Sequence, residues 1–286
     1  MKTKIENIIV PFDNDDVSMA AANYAVALAK KEQAEVVLFY VVEHPTEDTF
    51  NSMGVSGMPS FEGNIFIEKL IEKTEERMME FINAHSEVEI KWHIKIGHAY
   101  DKLTEIISHE KGDLIVMGTH EAKNGHHGFI RSHTEKIINH SVAPVIVIRG
   151  AKDFLSCKHI LLATDFADLN AYFMNRVLAM QKLTGAKLTI VKVNTPTYFK
   201  TSDEDEALYH DFKNQFDLPA HEFILFNDYE VEEGILKVAE AQKADLIMVG
   251  NHRRSGVHRL VLHNTVESLI RQTDIPVWSW RLGLSD

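Results

Sequence analysis

Three sets of residues in this 286-residue chain have types and spacing that could do chemistry. Asp13 and Asp165 each close an apolar, strand-sized run, IIVPFD and ILLATD. A carboxylate there can face a ligand, or it can start an Asx turn or the next helix. Gly118 and Gly250 close two further runs, DLIVMG and DLIMVG, and each opens a loop leading to a helix. Those helices are expected to open at Ser132-x-x-Glu135 and Asn264-x-x-Glu267. Both read as capping boxes, in which the first side chain accepts from a free backbone N–H and the glutamate reaches back. Capping accounts for Ser132 and Asn264 without a ligand, yet a helix N-terminus with free N–H groups also attracts phosphate.

The third set is five histidines, His120, His126, His127, His133 and His140. A zinc ion would need two or three of them at about 2.0–2.1 Å. None of the five are spaced i, i+4, so they read as solvated loop residues and no metal is expected. No serine or cysteine sits in a nucleophile elbow, and no catalytic residue is assigned. Cys157 is the single cysteine, which excludes an internal disulfide and fits a reducing compartment. The acidic run SDEDE, Ser202 to Glu206, reads as a capped helix start, and Tyr40 and Lys192 as packing or snorkelling side chains.

The elements that must position these residues occur twice. Asp13 recurs as Asp165, a shift of 165 − 13 = 152, whereas DLIVMGTH recurs as DLIMVGNH with a shift of 245 − 113 = 132. APVIVI (143–148) recurs as IPVWSW (275–280) with that same second shift. The first copy therefore carries extra chain between its first and fourth strands, assigned to the turn-rich segment His44 to Asn64. Domains are expected at 1–150 and 151–286. Copy one reads as strands near 7–12, 35–42, 89–96, 113–118 and 144–148, alternating with helices near 16–32, 64–86, 100–110 and 132–141. Runs such as EVVLFYVV are apolar throughout, as parallel strands covered on both faces must be. Ala21, Ala25 and Leu28 share one face of the first helix, matched by Phe173, Val177 and Met180. The fold class is α/β, two tandem doubly wound sheets.

In open parallel sheets the ligand crevice lies beyond the carboxyl ends of the strands, where the winding reverses. Asp13, Val41 and Gly118 gather there in copy one, and Asp165, Val193 and Gly250 in copy two. The first-strand turns hold neither G-x-G-x-x-G nor a loop ending in Gly-Lys-Ser, so ordinary dinucleotide and P-loop readings fail.

Taken in order and twice over, these landmarks resemble the universal stress protein family, specifically its tandem members. The resemblance rests on Asp13 and Asp165, on DLIVMGTH and DLIMVGNH, on the loop and helix start that follow, and on APVIVI and IPVWSW. It implies five-stranded parallel sheets ordered 3-2-1-4-5 with helices on both faces. It also implies a non-enzymatic stress-response module and, in nucleotide-binding members, ATP held by G-x2-G-x9-G-[ST]. In such members the strand-one aspartate and the strand-two valine backbone face adenine and ribose. Carried over, the pattern falls on Gly118, Glu121, Arg131 and Ser132 in copy one, and on Gly250, Arg253, His263 and Asn264 in copy two. Only the first glycine survives in each. Thr265 follows Asn264, and Arg254-Ser255-Gly256 is similar to the family's loop centre.

At about 5 Å and an effective dielectric near 20, Glu121 would repel a phosphate charge by roughly 3 kcal/mol. Arg253 and Arg254 have the opposite sign. Both sites therefore read as degenerate adenine-nucleotide sites for ATP or AMP, with copy two the better candidate. The resemblance further implies pairing of the last strands, Val145–Ile148 against Val277–Trp280, and association into a homodimer.

Thirty Lys plus Arg against 42 Asp plus Glu leaves a formal charge of −12, which argues against nucleic acid and anionic membranes as partners. The longest apolar runs are far below the roughly 18 residues of a membrane span, and the N-terminus is too briefly apolar for a secretory signal. A cytoplasmic protein is expected. The alternative reading is a metal- or pH-responsive interaction scaffold without nucleotide, using the histidines and the Met/Phe segment at 50–66. An ATP-consuming enzyme is disfavoured by the missing glycine-rich loop.

Overall fold

The computed structural model describes residues 4–42, 61–119, 130–150, 153–167, 169–251 and 259–281, with the backbone alone for 61–64, 66, 130–133, 251 and 259–264. The first half runs β1 (Asn7–Pro11), α1 (Asp16–Glu32), β2 (Glu35–Val42), α2 (Phe61–Ala84), β3 (Ile90–Ile96), α3 (Ala99–His109), β4 (Leu114–Gly118), α4 (Ile130–His140) and β5 (Val145–Ile148). The second repeats the plan with β6 (His159–Ala163), α5 (Ala171–Thr184), β7 (Lys187–Asn194), α6 (Ser202–Gln215), β8 (His221–Asn227), α7 (Val231–Ala241), β9 (Leu246–Asn251), α8 (Arg259–Gln272) and β10 (Val277–Arg281).

Within each half the strands are parallel and ordered 3-2-1-4-5. The halves join edge to edge: β10 pairs antiparallel with β5, Val277 opposite Val147 and Ser279 opposite Val145. One ten-stranded sheet results. Ile8, Val10, Leu38, Ile160 and Trp278 bury one face with residues of α1, α2, α5 and α6. Ile9, Val37, Ile115, Ile247 and Val277 bury the other with residues of α3, α4, α7 and α8. Helices on both faces explain the unbroken apolar strands, because no strand has a water-facing side to mark with polar residues.

The repeated aspartate of DLIVMG and DLIMVG is a clamp. Asp113 Oδ2 accepts from the N–H groups of Glu6 (2.9 Å) and Asn7 (3.2 Å), and Asp245 Oδ2 from those of Lys158 (2.8 Å) and His159 (3.0 Å). Each pins the entry of the neighbouring first strand. Asp15 caps α1 by accepting from Ser18 N–H, Asn170 caps α5 by accepting from Phe173 N–H, and Thr201 with Glu204 forms the capping box of α6. SDEDE is therefore a capped helix start, as the composition suggests.

Two expectations need correction. The helices after β4 and β9 begin at Ile130 and Arg259, so Ser132 and Asn264 lie inside them and Asn264 is no N-cap. The supposed capping glutamates instead bridge the halves. Arg271 donates to Glu135, and Asn139 Nδ2 donates to Glu267 at 3.0 Å. Since 135 + 132 = 267 and 139 + 132 = 271, these are the same two positions meeting across a pseudo-twofold axis. Trp280 Nε1 closes the seam by donating to the Val142 carbonyl at 3.0 Å. Second, the extra chain of the first half is not all loop: α2 has 24 residues against 14 in α6. The remainder of His44 to Asn64 lies largely outside the described residues.

Candidate functional site

In the second half, strand one ends at Ala163, and the chain then turns sharply through Thr164 and Asp165. Asp165 Oδ1 accepts from Ala167 N–H at 3.0 Å and Thr164 Oγ1 from Phe166 N–H at 2.9 Å. Phe166 sits at φ +64°, a left-handed conformation costly for an aromatic residue. Packing holds it there, with ring centroids of Phe212, Phe223 and Tyr209 at 5.0, 5.7 and 6.1 Å. Asn14 at φ +67° occupies the same place in the first half.

Beyond these strand ends lies a cavity of about 350 Å³. Asp165 and Phe166 line it from the turn after β6, Val191 and Val193 from β7, Val249 and Gly250 from β9, Val231 and Ile235 from α7, and Thr265 and Val266 from α8. It lies at the topological switch point, the expected ligand position of a doubly wound sheet. Gly234 of α7 allows the wall to close on Val193, since a Cβ there would come within 2.6 Å of Val193 Cγ1. Thr265 Oγ1 is buried against the cavity with no hydrogen-bond partner among the described residues. A helical threonine hydroxyl ordinarily finds a partner, so an orphan facing a cavity is suited to a ligand.

Sequence reasoning missed the polar wall. Lys192 does not snorkel: it is 4% exposed and its Nζ stands 2.7 Å from Oδ1 of Asp205, itself wholly buried. Its partner is the fourth residue of SDEDE, the one member of that run facing inward. The signal in the sequence was weak, an aliphatic strand interrupted by one lysine. Asn194 clips the following segment by accepting from Lys200 N–H (3.0 Å) and donating to its carbonyl (2.9 Å), which places Lys200 on the cavity lining.

The first half has the same strand ends, and the described residues there enclose almost no room. Asp13, Val41, Leu103, Met117 and Ile137 surround only about 30 Å³. Phe39 and Met117, both buried, stand where the second half has Val191 and Val249. The narrowing expected at Glu121 and Arg131 falls on side chains outside the described residues; the narrowing among the described residues is at the strand ends. Gly118 is explained by packing, because a Cβ on it would lie 2.4 Å from the Val17 carbonyl oxygen in the first turn of α1. Asp13 Oδ1 accepts from Asp15 N–H at 3.3 Å, the Asx turn the sequence allows. Burial, reinforced by the hydrogen-bonded and charged Asp15 carboxylate, pushes its acid up to about 6.

Of the candidate phosphate-side residues, Glu121, Arg253, Arg254, Ser255 and Gly256 lie outside the described residues, as do the side chains of Arg131, Ser132, His263 and Asn264. So do His120, His126, His127 and the His133 side chain. The ring of His140 is 2.9 Å from the Lys136 carbonyl. Among the described residues no three His, Cys, Asp or Glu side chains group to hold a metal, and no helix is long and apolar enough to cross a membrane.

The universal stress protein family model matches residues 4–149 and again residues 156–281. Universal stress protein MJ0531 of Methanocaldococcus jannaschii is 30% identical over 149 residues, 51% of this chain and 84% of the relative. Universal stress protein Slr1230 of Synechocystis is 22% identical over 294 residues, 97% of this chain and all of the relative. A universal stress protein from Archaeoglobus fulgidus shares the fold over 99% of this chain and 100% of its own, with a TM-score of 0.73 at 19% identity. With the duplicated 3-2-1-4-5 sheet and both repeats matched, this chain belongs to the universal stress protein family, as a tandem member.

Proposed function

We propose that this chain is a non-enzymatic stress-response module that takes an adenine nucleotide in its second domain, the first domain's seat being closed. The domains are 1–150 and 151–286. The observation that carries the reading is the contrast of cavities, about 350 Å³ against about 30 Å³ at equivalent places. The larger lies within the usual range for a small-molecule site. A ring would lie against Val193, Ile235 and Phe166, with Asp165 accepting from its polar edge and the orphan Thr265 hydroxyl reaching a sugar or phosphate oxygen. Gly250 and the arginines Arg253 and Arg254, with Ser255, Gly256 and Asn264, would complete the phosphate side; the glycine pattern there is broken, so the seat is a degenerate one.

The test is a melting-temperature series on the full chain with ATP and AMP. Installing the first half's own residues, Val191→Phe with Val249→Met, is expected to abolish the ligand-induced shift while the ligand-free variant still melts cooperatively. A shift that survives this double substitution, or that is lost with Ser132→Ala in the first half, overturns the reading.

A further inference from the structure

We infer that Lys200 holds the anionic group of the ligand in the second-half seat, so that this seat selects phosphorylated over unphosphorylated nucleosides; the inference rests on the seat proposed above. Among the described residues lining the cavity, three carry full charges: Asp165, Lys192 and Lys200. Lys192 is committed to Asp205 at 2.7 Å, both side chains being buried. Lys200 is exposed and the acid that feels its charge is Glu204, in the first turn of α6, so its ammonium is not held in a buried pair as that of Lys192 is and can turn to an anion in the cavity.

Its position is fixed from both sides. The Asn194 side chain grips the N–H and the carbonyl of Lys200, and Asn194 is itself only 5% exposed, its carbonyl accepting from Asp228 N–H at 3.1 Å. The next residue, Thr201, is the N-cap of α6, locked by the Glu204 carboxylate at 2.8 Å from its N–H. Between two such anchors the Lys200 backbone cannot drift, while its flexible stem lets the ammonium follow an anion as a point charge. A chain with a formal charge of −12 repels anions at long range, so a solvated cation at the cavity rim favours a phosphate there.

Lys200 would then reach the anion from the β7 side of the seat, in addition to the Gly250 and α8 side proposed above. Lys200 is exposed, so its replacement should leave folding intact.

The experiment is calorimetric titration of the full chain with AMP, ATP and adenosine, in the wild type, Lys200→Met and Lys200→Arg. In the wild type AMP is expected to bind about tenfold tighter than adenosine. Lys200→Met should weaken AMP about five- to tenfold, as for a charge-assisted contact at a solvated rim, leave adenosine unchanged, and be largely rescued by Lys200→Arg. AMP binding equally well to wild type and Lys200→Met overturns the inference and leaves the seat standing. A loss of AMP binding confined to Arg253→Met, with Lys200→Met silent, does the same. If none of the three ligands binds the wild type, the seat falls and the inference with it.

Discussion

The buried pair between Lys192 and Asp205 offers the most direct test of how the second domain's cavity wall is built. Both side chains are essentially removed from solvent, at 4% and 0% exposure, and the 2.7 Å approach of Nζ to Oδ1 is an ion-pair contact. Neither Asp205 carboxylate oxygen makes an aligned hydrogen bond among the described residues. An effective dielectric near 20 gives an attraction of about 6 kcal/mol at that distance, while the desolvation of each ion is several kcal/mol. The net value of the pair is therefore small, but the cost of breaking it is not. Lys192→Met strands a buried carboxylate and is expected to lose about 3 kcal/mol, softened because Asp205 lies in the first turn of α6, where free N–H groups favour negative charge. Asp205→Leu strands a buried ammonium without that help and should lose more, about 4–5 kcal/mol. The double substitution, Lys192→Met with Asp205→Leu, is expected to return to within about 1 kcal/mol of the wild type or above it. Urea unfolding followed by circular dichroism reads all four proteins. A single variant costing under about 1 kcal/mol, or a double variant losing as much as the two singles together, would refute the buried-pair reasoning.

Two further outcomes follow from the first domain. Gly118→Ala drives a Cβ to 2.4 Å from the Val17 carbonyl and 2.9 Å from the Ser18 nitrogen, both backbone atoms with nowhere to go. A loss of about 3 kcal/mol is expected by denaturant titration, and a neutral result would mean that α1 does not dock as described. Asp13, pushed up to about 6 from 3.8, keeps its proton in the folded state where the unfolded chain has lost it. Stability should therefore fall as pH rises from about 4 to 6, and the full cost, about 1–3 kcal/mol, is present above that range. Asp13→Asn should remove it, making the variant more stable than wild type at pH 7 and equal to it below about pH 4. Equal stability at pH 7 would show that the carboxylate is not buried at a cost.

Much of this was legible in the residues because each half of the pattern is local. An unbroken apolar run such as EVVLFYVV must be covered on both faces, and its alternation with helical stretches leaves little besides a doubly wound sheet. The repeated motifs placed Asp13, Asp165, Val41, Val193, Gly118 and Gly250 at the same strand ends the structure assigns them. Helix starts were less legible. Ser132-x-x-Glu135 and Asn264-x-x-Glu267 match a cap by residue type, but what their glutamates do depends on a partner far along the chain.

The sequence by itself determined the duplication, the alternation of strands and helices in each copy and the strand ends that border the crevice, since these depend on short-range periodicity repeated at two fixed shifts; the strand order came from the family resemblance. Only the tertiary structure decided which crevice is open. That outcome depends on the volumes of residues from separate strands, Phe39 with Met117 against Val191 with Val249, meeting in one place. It also decided that Asp205 faces inward to Lys192 and that β5 and β10 join the two sheets into one. Packing and pairing of this kind are properties of groups brought together across long stretches of chain, and no local spacing encodes them.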